Sequence, residues 1–305
     1  MWVTVIDMQL YLIRKRSVTT NSGSSRLSGG QSCSDAANPF VCLVRPLAHL
    51  LDFVLHTGAI CPSLPHLWHV ASLNLQSLAT AVISMATTST SPHNLNDQLG
   101  DFCDGSIFKE HPIFSTDPHA LQVVAYYDEL EVVNPIGSFV KRHKLGCVFF
   151  FLANVRPQLR STLKSIQLIA VAKHQDVQQY GIDDLLSPFV EELKTLYCDG
   201  INVSIAGQER VLHGALLAFL ADTLAAHSVG GFKESMGFAL RICRTCMITR
   251  PLSQSCFSET DSECVLRTPA THFEQCSLLQ GELCHHYSTS YGVNRLFLKK
   301  YLHFQ

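Results

Sequence analysis

Charged residues are scarce in this sequence. Charged residues make up 16% of its 305 residues, against about 25% in typical soluble domains. The net charge is -2 and the isoelectric point is about 6.7, so the chain has no overall positive field for nucleic acid, and any phosphate-binding surface has to be local. Long apolar runs are also absent. The most apolar stretch, residues 70–86, contains Ser, Asn and Gln and falls short of the roughly 20 residues that a membrane span needs.

The chain also lacks a secretory signal pattern at its start. The basic residues Arg14, Lys15 and Arg16 follow the apolar part, and Asp7 lies within it, which reverses the order of a secretory signal. Twelve cysteines in such a chain are typical of thiols or metal ligands rather than of a disulfide framework. We therefore expect a nuclear or cytoplasmic protein that is not secreted and has no membrane segment.

Two polar linkers divide the chain. Residues 17–38 and 87–96 are rich in Ser, Thr, Asn or Gly and have no apolar period, which predicts disorder. Between them, the apolar residues 40–86 are broken by prolines and predict two or three short helices. We place a boundary near residue 100. The resulting units are a poorly structured leader (1–100), a folded core (101–235) and a segment rich in Cys and His (236–305).

Apolar runs beyond residue 100 predict an α/β core. The predicted strands cover residues 121–127, 145–153, 165–172, 202–205 and 211–221. Apolar residues at spacings of three and four predict a helix over 182–197, with a stop at Asp199 and Gly200 and a restart possible at Pro188. Three strands, a helix and a strand are the opening of the ribonuclease H-like fold, in which the last strand runs parallel to the first. We therefore expect a partial mixed sheet of that kind.

Acidic side chains follow two of the predicted strands. Asp128 lies in the sequence YYDELE at 126–131, and Asp222 follows the apolar run 215–221. Two Asp residues that end two strands of one sheet can share a divalent cation. The simpler alternatives are a solvated acidic loop at Asp128 and a helix cap at Asp222. Glu131 is a possible substitute ligand, and we interpret His227 as structural.

Six short segments occur in an order that resembles a known family. They are 107–114 (IFKEHPIF), 126–137 (YYDELEVVNPIG), 143–146 (HKLG), 221–227 (ADTLAAH), 230–232 (GGF) and 243–246 (CRTC). The second is the most specific. Over about residues 104–292 the chain resembles transposon-encoded proteins of animals that are related to the CACTA-type transposases of plants.

The resemblance implies a DDE-type transposase core, in which two Asp residues and a later acidic residue bind two divalent cations for phosphodiester cleavage and strand transfer. Asp128 would be the first ligand and Asp222 the second, with Mg²⁺ or Mn²⁺ as the metal. The partner would be DNA at transposon ends, and homo-oligomers are compatible with this role. No credible third acidic ligand occurs before Gln305, and the first 100 residues match nothing in the family. We therefore expect weak activity or none.

The Cys-rich segment predicts a zinc-knuckle-like insertion. Cys243 and Cys246 provide half of a zinc site, and His272 and Cys276 have the spacing of two ligands on one helical face. Four protein ligands would make the zinc structural. Other residues compete for the same role, and ordinary reduced cysteines are the simpler alternative. The competitors are Cys256, Cys264, Cys284, His285 and His286.

Local basic clusters are candidates for phosphate contacts. One comprises Lys141, Arg142, Lys144, Arg156 and Arg160, and a second comprises Arg241, Arg244 and Arg250. Solvated surface charge is an equally good interpretation, and no element that reads bases is visible. The sequence thus predicts a transposase-derived DNA-binding protein with an incomplete metal-dependent nuclease core. The alternative is a zinc-stabilised module for protein or nucleic-acid interaction without catalysis.

Overall fold

The fold was obtained as a computed structural model. It describes residues 4–7, 67–69, 100–131, 144–162, 165–205, 207–234, 236–256, 258 and 260–294. Most of the predicted leader, both of its linkers, and the basic residues Lys141 and Arg142 therefore lie outside the described residues.

Eight strands lie in the described part of the chain. They are β1 (Thr4–Asp7), β2 (Leu67–His69), β3 (Leu121–Glu131), β4 (Lys144–Leu152), β5 (Gln167–Lys173), β6 (Ile201–Ile205), β7 (Gln208–Leu212) and β8 (Gly214–Ala221). Six of them form one sheet in the order β1-β8-β3-β4-β5-β2, and β6 pairs with β7 in a separate hairpin.

The central sheet is mixed. Strands β3, β4 and β5 form an antiparallel meander, whereas β8 runs parallel to β3 on its other side. Strand β1 lies parallel to β8 and β2 lies antiparallel to β5. The predicted order of meander, helix and parallel strand is therefore confirmed as a mixed α/β sheet. Residues 67–69 lie in a segment predicted to be helical, and they form a strand because they pair with the edge of β5.

Six α-helices lie in the described part of the chain, and all except one are shorter than ten residues. They are α1 (Ser106–Glu110), α2 (His174–Tyr180), α3 (Ile182–Cys198), α4 (Thr223–Val229), α5 (Pro269–Ser277) and α6 (Cys284–Tyr291). Helix α3 does not restart at Pro188 but continues through it. Its apolar stripe is buried on both sides of the proline, and this packing holds the helix together across the missing backbone donor.

Both faces of the central sheet are covered. On one face, alternate residues of β3 such as Val123, Ala125 and Tyr127 pack with α3 and the end of α4. On the other face, Val124 and Tyr126 pack with apolar residues of the segment 102–120. Because side chains alternate along a strand, Asp128 continues the second face and Glu129 the face that carries α3.

The predicted strand over residues 211–221 was wrong as a single element. The hairpin strand β7 ends at Leu212, and β8 begins at Gly214 in the central sheet. A Cβ atom at Gly214 would lie 2.6 Å from the carbonyl oxygen of Leu121, so the two backbones approach closely at this point. His213 accepts a hydrogen bond from the Leu121 amide at 2.9 Å. At this point the chain leaves the hairpin of β6 and β7 and enters the central sheet. The apolar pattern of residues 211–221 does not reveal this change.

The C-terminal segment attaches next to the end of α4. Phe232 forms a β-bridge with Val293, and Phe232, Cys276 and Val293 form a small buried cluster. The backbone of Asn294 donates a 2.7 Å hydrogen bond to Gly231. These contacts bring the segment predicted to bind zinc against the loop that follows α4, the helix that Asp222 precedes. Among the described helices, none has the length and apolar character of a membrane span.

Candidate functional site

The two aspartates lie toward the same end of two neighbouring interior strands. Asp222 follows β8 as expected, whereas Asp128 lies within β3, which continues to Glu131. Tyr126 of β3 is the register partner of Leu220 in the parallel strand β8. Asp128 and Asp222 each lie two residues beyond that pair, so the parallel pairing brings both carboxylates to the same end of two neighbouring strands.

Asp128 is half-buried, and its surroundings destabilise the ionised form of its carboxyl group. Burial raises the pKa of its carboxyl above the usual value, and the negative charges of Asp222 and Glu129 raise it further. The Glu129 amide donates a 2.8 Å hydrogen bond to Oδ1, which lowers the pKa, but the net pKa remains raised. A carboxylate in this situation is stabilised by a cation.

Asp222 is exposed and caps helix α4. Its Oδ1 accepts a 2.8 Å hydrogen bond from the Ala225 amide, and its own backbone has the extended conformation of an N-cap residue. The cap that the sequence offered as the simpler alternative is therefore present. One carboxylate oxygen serves the cap, and a carboxylate has a second oxygen with which it can accept from another donor or bind a cation.

The neighbouring acid, Glu129, points to the opposite face and joins a separate polar cluster. Lys144 of β4 lies 3.2 Å from its Oε2, and Nδ1 of His174 lies 2.8 Å from its Oε1. Glu131, the predicted substitute ligand, is the register partner of Lys144. Lys144 is thus placed within an acidic cluster, where its charge is balanced by protein carboxylates.

The arrangement suits one cation better than two. Across the described residues, no group of three or more His, Cys, Asp and Glu side chains is arranged to hold a metal ion. Two carboxylates nevertheless match the protein contribution to many Mg²⁺ sites, in which water and substrate phosphates complete the octahedron.

The predicted zinc ligands occupy two local pairs. In the first pair, the Thr245 amide donates a 3.3 Å hydrogen bond to Cys243 Sγ. Burial raises the pKa of the Cys243 thiol, but hydrogen bonds from Thr245 and Cys246 outweigh this effect and leave it below its usual value. Burial raises the pKa of the Cys246 thiol to about 11.

The second pair lies on one face of α5, as its spacing predicted. His272 Nε2 lies 3.7 Å from Cys276 Sγ and 2.9 Å from the carbonyl oxygen of Gly230. The His272 ring stacks on Phe232 with a centroid distance of 4.4 Å. Burial lowers the pKa of His272 to about 4, so the ring is neutral at physiological pH. Nearby, His227 is buried 6.0 Å from the Phe232 ring.

Arg267 lies between the two pairs. Its guanidinium is buried and donates to Cys243 O, Gln275 Oε1 and Tyr291 O. Burial lowers its pKa, whereas the charges of Cys243, Cys246 and Cys276 act to raise it. Sequence reasoning did not identify this arginine. It is the cationic centre around which the thiols are arranged.

Arg160 is not available to a phosphate. It is 8% exposed, and both terminal nitrogens donate to the Asp101 carboxylate at 2.6 Å. The same guanidinium also donates to the carbonyl oxygens of Val155 and Ala153. These bonds hold the start of the core against the loop after β4, and a phosphate contact at Arg160, as the sequence predicts it, would have to replace them. Arg156 is exposed and keeps the predicted role.

The second basic cluster is partly engaged by backbone oxygens. Arg241 donates a 3.0 Å hydrogen bond to Ser290 O and lies over the Tyr291 ring. Arg250 donates to Gly237 O at 2.5 Å. These bonds tie the segment around the Cys pair to its neighbours, so the arginines also have structural roles.

Comparisons with known proteins add no relative. No protein-family model matches the chain, and no curated protein matches it.

Proposed function

We propose that this chain is a transposase-derived DNA-binding protein built on a ribonuclease H-like core, with a single divalent-cation site at Asp128 and Asp222. The observation that carries the proposal is the register of β3 and β8, which places both residues toward the same end of two neighbouring strands. The fold supports it through an antiparallel meander whose first strand is flanked by a parallel strand.

The donor set fits a hard cation. The raised pKa of Asp128, caused by burial and then by neighbouring carboxylates including Asp222, means that a cation between the two acids relieves a cost already present in the fold. Oxygen ligands favour Mg²⁺ or Mn²⁺. Asp128 and Asp222 would hold such an ion, and the ion would supply positive charge for a DNA phosphate. With two acids in place, we propose cation-assisted DNA binding and little or no strand cleavage.

The test is a titration of the full chain with MgCl₂ and MnCl₂, followed by thermal unfolding. We expect an increase in Tm for the wild type that is lost in Asp128→Asn and Asp222→Asn. Asparagine caps helices as well as aspartate, so Asp222→Asn removes a charge and keeps the cap of α4. Asp199→Asn, at an exposed carboxylate after α3, is the matched control and should keep the metal response.

DNA binding completes the test. Mg²⁺ should tighten the binding of a DNA duplex to the wild type and to Asp199→Asn, but not to either site variant. A Tm that ignores both cations, or site variants that respond as the wild type does, would contradict the proposal.

The second candidate is a zinc-stabilised interaction module without catalysis. It is favoured by the cap that Asp222 provides for α4 and by the hydrogen-bonded thiol of Cys243. The zinc ligands predicted from the sequence are Cys243, Cys246, His272 and Cys276. This candidate predicts that a zinc chelator lowers the Tm, while Mg²⁺ changes neither the Tm nor DNA binding.

A further inference from the structure

Phe238 presents its aromatic ring to solvent. It ends the short 3₁₀ helix Met236–Phe238 and is 74% exposed, the largest exposed fraction of any large hydrophobic residue in the described part of the chain. The next residue, Ala239, is buried, so the backbone at this turn is anchored in the protein. A ring in this position contributes little to the core and offers its face to a ligand.

Arg250 lies beside this turn. Its Nη1 donates a 2.5 Å hydrogen bond to the carbonyl oxygen of Gly237, and its backbone amide donates a 2.6 Å hydrogen bond to that of Leu240. Both bonds hold the arginine against the segment that carries Phe238. Its side chain is exposed, and within the described ranges Gly237 O is its one side-chain hydrogen-bond acceptor and no carboxylate pairs with it. A guanidinium has five N–H donors, so most of them remain for an anion.

Two segments that pack together here contain no acidic residue. Arg241 donates a 3.0 Å hydrogen bond to Ser290 O, so residues 236–256 contact helix α6. Residues 236–256 include three arginines, and neither they nor residues 283–294 include Asp or Glu. In a chain whose net charge is -2, these segments form a local positive surface, and its charge complements that of a polyanion.

A single DNA strand matches both features of this surface. Its unpaired bases have faces that stack on aromatic rings, and its phosphates pair with arginine. A duplex keeps its base faces inside the helical stack. It could therefore use the arginines but would leave the Phe238 ring without a base to stack on.

We propose that Phe238 and Arg250 bind single-stranded DNA, with the Phe238 ring stacked on an unpaired base and the Arg250 guanidinium on a neighbouring phosphate. This surface uses neither Asp128 nor Asp222 and requires no divalent cation. Its test can therefore fail or succeed independently of the cation site.

The experiment measures the binding of a fluorescein-labelled oligothymidylate to the full chain by fluorescence anisotropy, in EDTA. Phe238→Leu keeps an apolar side chain and removes the ring, and it should weaken binding about 5- to 150-fold, the value of one stacked base. Phe238→Trp should restore wild-type affinity. Tyr180 is an exposed aromatic residue on α2, and Tyr180→Leu, the matched control, should bind as the wild type does.

Salt dependence tests the phosphate contact. Losing one phosphate contact on a single strand should reduce the slope of log K against log salt concentration by about 0.7. Arg250→Met should show this reduction. Arg210→Met, at an exposed arginine on β7, is the matched control and should keep the wild-type slope.

A further measurement uses the wild type alone, so misfolding of a variant does not decide the outcome. An oligonucleotide that contains bromodeoxyuridine should, on irradiation, cross-link to the peptide that contains Phe238, as read by mass spectrometry. Cross-links confined to other peptides, or wild-type affinity in Phe238→Leu, would overturn the proposal. A duplex that binds in EDTA as tightly as the single strand would also overturn it, and tighter binding of oligouridylate would assign the surface to RNA instead.

Discussion

Replacing Arg160 tests whether its role is structural. The substitution Arg160→Met removes the guanidinium but keeps a long apolar side chain in the same space. Asp101 then loses two 2.6 Å hydrogen bonds, and the carbonyl oxygens of Val155 and Ala153 lose their donor from this side chain.

The loss of stability follows from the Asp101 charge that the substitution leaves without its partner. Breaking a buried ion pair by removing one partner typically costs about 3–5 kcal/mol, because the other charge remains where water cannot solvate it well. The Asp101 side chain is 18% exposed, so solvent recovers only part of the loss. For a domain of about 200 residues, each kcal/mol corresponds to about 2–4 °C in Tm. We therefore expect a fall in Tm of about 6–20 °C.

The assay is thermal unfolding followed by circular dichroism, together with DNA binding at a temperature where both proteins are folded. Arg210→Met is the matched control, because Arg210 is exposed and surface substitutions usually change stability by about 0.5 kcal/mol or less. The double variant with Asp101→Asn should lose less than the sum of the single variants, since the residues share one interaction. A stable Arg160→Met protein with weakened DNA binding would refute the structural role.

Three further predictions concern single positions. Because the fold raises the pKa of Asp128, its ionised form destabilises the protein, so metal-free Asp128→Asn should be more stable than the wild type at pH 7. That advantage should vanish below about pH 3.8, the unfolded-state value, and its absence in urea melts at pH 7 would argue against a strained carboxylate. Burial lowers the pKa of His111 from 6.5 to about 4, so the wild type should lose about 2 kcal/mol as the pH falls through that interval. His111→Asn, which keeps an acceptor and cannot titrate, should flatten the dependence, and an unchanged slope would assign it to other groups. Gly214→Ala should cost about 1–3 kcal/mol, because the new methyl group would lie 2.6 Å from Leu121 O; an unaltered urea midpoint would show that the backbones can separate there.

The meander and its crossover helix were predictable because they depend on local patterns. The meander strands and helix α3 each coincide with an uninterrupted apolar run or a stripe at helical spacing, and their ends differ from the predicted ones by a few residues at most, the largest difference being four at the end of β3. The break between β7 and β8 was missed because residues 211–221 are apolar throughout most of their length. What divides them is the close approach of Gly214 to another strand, and this contact is distant in sequence.

The candidate site was partly predictable for a similar reason. Asp128 and Asp222 each follow an apolar run, and that local signal identified both. Nothing local distinguished Arg160 from Arg156, although one is buried against Asp101 and the other is exposed.

The sequence by itself determined the three strands of the meander, helix α3, the acid that follows β8, and the two short-range pairs at Cys243 and His272. These features depend on neighbours within about one turn or one strand, so periodicity and spacing reveal them. Only the tertiary structure decided which acids lie toward the same end of two neighbouring strands and which arginine is buried. Burial and charge compensation are set by residues that are far apart in sequence, and the packing of the sheet is what brings those residues into contact.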